Sequence, residues 1–180
     1  MVKLLNKTVG LLGGSFDPVH EGHIAISKIA LKKIKLDKIY WIVTKQNPLK
    51  DKTHFSLKER LSLARKTVKN SKDIQVLYLD KKVKSSRSIN IINHLISEKK
   101  LNNIHFIIGS DILIDLHKWE SWKKIVKLIK LVVFSRKGYD RKGKNSIVAK
   151  YLKNKNIIYI KNKPIKISST ILRNKLKKIS

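Results

Sequence analysis

Residues 8–23 read Thr8-Val9-Gly10-Leu11-Leu12-Gly13-Gly14-Ser15-Phe16-Asp17-Pro18-Val19-His20-Glu21-Gly22-His23, a run from apolar to glycine-rich to histidine-bearing sequence. Thr8 to Leu12 is a short apolar run that ends at glycine, the pattern of a buried strand. Beyond the histidines, Ile24, Ile26, Ile29, Ala30 and Ile34 form an approximate helical stripe. Gly13 to Val19 is then the crossing from strand to helix. Glycines at such a crossing let the backbone turn sharply and come close to a ligand, while the N–H groups at a helix start attract anions. His20 and His23 are three residues apart, so a helix beginning near Val19 sets both imidazoles on one face at its electropositive end. That arrangement offers two donors to one phosphate. A Gly-Gly pair alone is an ordinary tight turn, and an H-x-x-H pair alone is a common surface feature. Their order across one junction is what points to chemistry. Zinc fits the pair less well, because the spacing is three rather than four, no H-E-x-x-H occurs and the chain has no cysteine.

Outward from this junction, strand and helix patterns alternate. Lys38 to Thr44 reads as a second buried strand. Ser56 to Val68 reads as a helix opened by a capping box of Ser56 and Glu59. Strands are expected at Ile74 to Leu79, Ile104 to Ile108, Leu128 to Ser135 and Ile157 to Ile160, and helices at Ser88 to Lys99, Trp119 to Lys127, Ile147 to Lys153 and Ser169 to Lys178. Such alternation predicts a Rossmann-like, doubly wound, mostly parallel sheet with helices on both faces and ligands beyond the carboxyl ends of its strands. Three polar segments follow strands and should meet at that edge: the glycine-histidine stretch, Thr44 to Lys50, and Gly109-Ser110-Asp111. Arg136 to Asn145 is expected to be a mobile loop.

With 180 residues and 42% hydrophobic content, the chain can bury a substantial core, and one domain over residues 1–180 is the simplest division. Lack of cysteine excludes a disulfide framework and a thiolate site, and fits a reducing compartment. No apolar run has membrane-spanning length, and Leu11-Leu12 is followed at once by Gly-Gly-Ser instead of a signal-peptide core, so a cytoplasmic protein is expected. The formal charge of +30, from 42 basic and 12 acidic residues, permits a polyanionic partner. The lysines are nevertheless spread over nearly every segment and form no stripe with interleaved aromatics, so the charge reads as compositional drift on solvated faces and nucleic-acid binding as incidental. The state of assembly is left open.

The first stretch resembles the G-G-S/T-F-D-P-x-H-x-G-H signature of the H-x-G-H nucleotidyltransferases, and its wording is most similar to the bacterial nicotinate mononucleotide adenylyltransferases. Ile167-Ser168-Ser169-Thr170-Ile171-Leu172-Arg173 resembles that family's I-S-S-T-x-I-R element, where hydroxyls, helix-start amides and an arginine hold ATP phosphates. Its spacing lets Ser169 cap a helix while Arg173, one turn on, faces the same anion. Gly109-Ser110-Asp111 resembles the family's G-A/S-D, Trp119 lies where the family has a tryptophan of the pyridine-nucleotide pocket, and Arg136 matches an arginine after the next strand. Two departures stand out. Where the family has Pro-Pro-His-Lys the chain has Asn47-Pro48-Leu49-Lys50, and where it has Ser-Tyr-Thr the chain has Ser86-Arg87-Ser88.

The resemblance implies transfer of AMP from ATP to nicotinate mononucleotide, giving deamido-NAD and pyrophosphate, with Mg²⁺ carried on the triphosphate and small molecules as the partners. It further implies His20 and His23 at the α-phosphate and departing pyrophosphate, and Gly13, Gly14, Ser15 and Phe16 at phosphate and ribose. Arg173 with Ile167, Ser168, Ser169 and Thr170 would sit at the far phosphates, with Gly109, Asp111 and Arg136 also on the ATP side. Lys50 would neutralise the attacking phosphate, and Thr44, Ser86, Arg87, Ser88 and Trp119 would line the acceptor pocket. Arg87 would pair with the nicotinate carboxylate. Asp17 reads as an orienter of the turn, since a carboxylate acting beside a triphosphate would repel it. Rival readings are a relative acting on nicotinamide mononucleotide or phosphopantetheine, the latter disfavoured by His20, and a non-catalytic nucleic-acid-binding relative.

Overall fold

The structure is a computed structural model and describes residues 7–46, 52–162 and 169–176. In chain order the elements are β1 (Thr8–Gly14), α1 (Glu21–Ile34), β2 (Lys38–Val43), α2 (Leu57–Val68), β3 (Ile74–Leu77), α3 (Asp80–Val83), α4 (Ser88–Lys99) and β4 (Asn103–Gly109). They continue with α5 (Ser110–Asp115), α6 (Trp122–Leu128), β5 (Lys130–Phe134), α7 (Asp140–Lys144), α8 (Ile147–Tyr151), β6 (Ile157–Ile160) and α9 (Ser169–Leu176).

The strands form one six-stranded sheet in the order β3-β2-β1-β4-β5-β6, and every neighbouring pair is parallel. Side chains alternate across it and both faces are covered, which is why β2 and β5 read as near-continuous apolar runs. Val9, Leu11, Phe106, Ile108, Leu131 and Val133 pack on one face with α4, α5, α6 and α8 residues such as Leu95, Leu113, Ile125 and Val148. Leu12, Trp41, Val43, Ile107, Val132 and Phe134 pack on the other with Ala30 of α1 and Ala64 of α2. Each such valine, leucine, isoleucine or phenylalanine side chain, fully buried, contributes roughly 1.5–3 kcal/mol over exposure. The expected doubly wound sheet is therefore observed. Strand order reverses direction between β1 and β4, so the connections leaving their carboxyl ends diverge and open a crevice there. Among the described residues no helix is long and apolar enough to cross a membrane.

Several boundaries differ from the sequence reading. Gly13 and Gly14 belong to β1, paired with Ile42 and Val43, so the sharp turn falls on the next residues, with Phe16 at φ 48°. The first helix starts at Glu21, with His20 as its N-cap, and α6 starts at Trp122. The segment expected to be a mobile loop contains α7, because the Asp140 carboxylate accepts hydrogen bonds from Ser110 Oγ, from the Arg136 amide and from Ser135 Oγ. The capping box of α2 is present as expected: Ser56 Oγ accepts from the Glu59 amide at 3.3 Å and Glu59 Oε2 from the Ser56 amide at 2.8 Å.

Candidate active site

A cleft of about 480 Å³ opens at the carboxyl ends of β1 and β4. His20 and His23 stand on one wall. As N-cap, His20 accepts the Gly22 amide on Nδ1 at 3.1 Å, and His23 accepts the His20 amide on its own Nδ1 at 3.2 Å, closing a capping box made of two imidazoles. A ring whose Nδ1 accepts a hydrogen bond is neutral and carries its proton on Nε2, so the helix start fixes both tautomers as Nε2–H donors. The rings lie 3.9 Å apart at their centroids, and Phe16 packs on His23 at 4.7 Å.

Burial pushes the His20 imidazole from the ordinary 6.5 down to about 4, and the positive charge of Arg136 adds to the shift. Between those values the folded chain holds fewer protons than the unfolded one. Stability is therefore complete above the unfolded value and lost as pH falls towards the folded one. An NMR titration of His20 in the ligand-free protein is expected to show a midpoint near 4. A midpoint at the ordinary histidine value would mean that the Nδ1 bond does not hold the ring neutral.

The turn from β1 to α1 is held from several sides. Phe16 is buried and stacks on Trp41 at 5.1 Å, and the Trp41 indole in turn donates to Ser27 Oγ on α1 at 2.9 Å. Asp17 is 4% exposed, and its two carboxylate oxygens accept the amides of His54 and Phe55, each at 2.8 Å. From α9, Ser169 Oγ donates to the Pro18 carbonyl at 2.9 Å. Arg173 Nη1 donates to the Asp17 carbonyl and lies 3.7 Å from Asp17 Oδ2. Ser169, at the start of α9, ties the helix to this turn. Ser169 lines the cleft.

Across the switch point, β4 ends at Gly109. A Cβ there would lie 2.2 Å from Asp111 Oδ1 and 3.2 Å from Arg136 Nε, so only glycine lets both side chains approach. Asp111 Oδ1 is buried with no hydrogen-bond partner among the described residues, 3.8 Å from Arg136 Nε. Asp140 holds the backbone under Arg136, and its own carboxyl is kept below the usual range, first by the Ser135 hydroxyl and then also by Ser110.

The remaining wall carries Thr44, Ser86, Arg87, Ser88 and Trp119. Trp119 is half-buried and meets Phe106 edge-on at 6.0 Å, so it serves both the core and the cleft. Arg87, the N-cap of α4, forms an exposed ion pair of 2.8 Å with Glu120. Lys50, Ile167 and Ser168 lie outside the described residues, as does the side chain of Thr170. The structure thus gathers His20, His23, Gly13 to Phe16, Gly109, Asp111, Arg136, Thr44, Ser86 to Ser88, Trp119 and Ser169 around one cleft, with Arg173 bonded to the Asp17 carbonyl of its turn.

Three residues were not singled out in the sequence. Arg60 is 1% exposed and grips four backbone carbonyls. Its signal was there: Arg60, Ala64 and Val68 recur every four residues on the buried stripe of α2, where a lone arginine needs partners. Asp140 was marked by being the one acid between Arg136 and Asn145. Glu120 carried no signal beyond its place beside Trp119.

The cytidylyltransferase-like family matches residues 11–175 of the chain. A probable nicotinate-nucleotide adenylyltransferase of Pelagibacter ubique is 42% identical over 165 residues, covering 92% of this chain and 91% of its own length. Another from Rhizobium meliloti is 34% identical over 131 residues, covering 72% and 69%. In fold alone, the chain is similar to the Plasmodium falciparum nicotinic acid mononucleotide adenylyltransferase complexed with NaAD, with a TM-score of 0.74 at 19% identity, covering 94% of this chain and 83% of that one. A family match running nearly end to end and a relative of this identity over nine-tenths of both lengths make the chain a member of the cytidylyltransferase-like nucleotidyltransferases, in their nicotinate-nucleotide adenylyltransferase branch.

Proposed function

We propose that the cleft transfers AMP from ATP to nicotinate mononucleotide, forming deamido-NAD and releasing pyrophosphate. A 5′-phosphate oxygen of the mononucleotide attacks the α-phosphorus of ATP in line. The new P–O bond forms as the bond to the bridging oxygen breaks, and pyrophosphate departs with the electron pair. The nucleophile is already ionised, so positioning and charge stabilisation carry the rate. The observation that supports this most is the double imidazole cap, because it commits both Nε2 atoms as proton-bearing donors on a wall of the cleft.

In this reading His20 and His23 hold the α-phosphate oxygens as charge grows on them, and the amides of Gly13 to Phe16 meet phosphate and ribose. Arg136 and the α9 residues Ser169, Thr170 and Arg173, with Ile167 and Ser168 before them, serve the far phosphates. The unpartnered Asp111 oxygen suits a hydroxyl or amino donor of the adenosine. Lys50 neutralises the attacking phosphate. Mg²⁺ enters as part of the substrate, on the triphosphate.

Thr44, Ser86, Ser88 and Trp119 form the acceptor side, where Arg87 reads the nicotinate carboxylate by leaving Glu120. An exposed ion pair is worth about 0–1 kcal/mol, less than a charge-assisted hydrogen bond to a desolvated carboxylate at about 1.5–3 kcal/mol, so the exchange is favourable. Arg87→Ala is expected to lower the ratio of kcat/KM for nicotinate over nicotinamide mononucleotide about tenfold. An unchanged ratio would remove Arg87 from acid recognition. The reaction itself is tested by pyrophosphate release with Mg²⁺-ATP and, in parallel, nicotinate mononucleotide, nicotinamide mononucleotide or phosphopantetheine. Release is expected to be fastest with the first, and release with phosphopantetheine alone would overturn the proposal.

A further inference from the structure

Behind the wall formed by the β1–α1 turn, the Arg60 guanidinium is enclosed. Its Nη1 donates to the Ser15 carbonyl at 2.6 Å and to the Thr44 carbonyl at 2.8 Å, its Nη2 to the Lys45 carbonyl at 2.8 Å, and its Nε to the Phe55 carbonyl at 3.1 Å. One side chain therefore binds the segment after β1, the segment after β2 and the lead into α2. The negative charges of Asp17 and Asp80 act on it favourably. Ser15, Phe16 and Thr44 line the cleft, whereas Arg60 does not, so the grip comes from the rear.

The geometry of the peptide unit gives this grip a direction. In a trans peptide the C=O and N–H bonds point to opposite sides, and the cis bond in this turn is the later one, Asp17-Pro18. At Thr44-Lys45 the consequence is visible: the Thr44 carbonyl goes to Arg60 while the Lys45 amide donates the other way, to Asp80 Oδ2 at 2.7 Å. At Ser15-Phe16 the same rule turns the Phe16 amide away from Arg60, and Phe16 itself lines the cleft. Five N–H donors in a rigid fork allow one guanidinium to hold several carbonyls at fixed angles, which a lysine ammonium cannot reproduce.

We propose that Arg60 is a positioning residue for the phosphate cradle: by holding the Ser15 and Thr44 carbonyls from behind, it aims the Phe16 N–H at a polyphosphate in the cleft. This rests on the cleft accepting the triphosphate of ATP, as proposed above, and adds a residue that touches no substrate. Two measurements on the full chain test it, with inorganic tripolyphosphate as the anion probe and adenosine as the probe without phosphate.

In the wild type, tripolyphosphate is expected to shift the Phe16 amide proton downfield in ¹H–¹⁵N spectra. In Arg60→Lys, which keeps the charge and loses the fork, the tripolyphosphate Kd is expected to rise at least tenfold while the adenosine Kd stays within twofold. A general loss of fold would weaken both probes together. Arg60→Lys binding tripolyphosphate as tightly as wild type, or losing both probes in parallel, overturns the proposal. If that variant does not fold, the wild-type spectrum decides, and a stationary Phe16 amide among shifting neighbours overturns it. Wild type that transfers AMP but does not bind tripolyphosphate also overturns it, whereas wild type that does neither removes the function proposed above.

Discussion

His20→Ala is expected to lower the turnover number about 100- to 1000-fold and the melting temperature by about 2–4 °C, the first typical of a lost oxyanion donor and the second of a lost helix cap near 1 kcal/mol. The two losses come from opposite edges of one ring. Nδ1 accepts the Gly22 amide and starts α1, while Nε2–H is the edge that the proposed function assigns to the α-phosphate. His20→Asn separates them, because asparagine is among the best N-caps but places no donor where Nε2 was. Turnover is expected to stay about as low as in His20→Ala, with the melting temperature back to within about 1 °C of wild type. Recovery of both would make His20 a structural cap and nothing more. Circular-dichroism melting and steady-state pyrophosphate release on the three proteins give the answer.

Asp17→Asn is expected to lose about 2–4 kcal/mol, and so roughly 5–10 °C in melting temperature, while keeping the shape of its pH–rate profile. Both Asp17 oxygens accept backbone amides, from His54 and Phe55. An asparagine can satisfy one and must point its own N–H₂ at the other, leaving a buried donor facing a donor. Because Asp17 is nine-tenths buried beneath the turn, this damage reaches the cleft through the Phe16 and His20 backbone, and kcat/KM is expected to fall about tenfold. Were Asp17 a general base, the acidic limb of the profile would vanish in Asp17→Asn with stability little changed, and that pattern would refute its reading as an orienter.

These two residues also mark where the sequence was legible. The strands were readable because a parallel sheet covered on both faces demands apolar runs, as in Ile104 to Ile108 and Leu131 to Phe134. The helices with long apolar stripes, α1, α2 and α4, were readable for the complementary reason. The short helices α3, α5 and α7 have four to six residues each, too few for a period of 3.6 to declare itself. In the site, residues that line the cleft were visible as motifs. Those that hold the backbone in place were less so, because they act across the fold: Arg60 on Ser15 at a separation of 45 residues left no sign, and Asp17 read as an orienter without showing that its partner is the His54 amide 37 residues on. Hydrogen bonds to distant backbone leave no pattern of spacing. The assumption that Gly13-Gly14 made the turn failed for a related reason. Glycine is permissive but not obliged to bend, and here it extends β1 while the buried Phe16 ring, stacked on Trp41, holds the left-handed position.

The most direct measurement is the fate of the α-phosphorus. With ATP labelled at that atom, Mg²⁺ and nicotinate mononucleotide, the label is expected in deamido-NAD in one-to-one proportion with unlabelled pyrophosphate, and both products should form about 100- to 1000-fold more slowly with His20→Asn. Label that stays in ATP, or leaves as free AMP with no dinucleotide formed, would contradict the account.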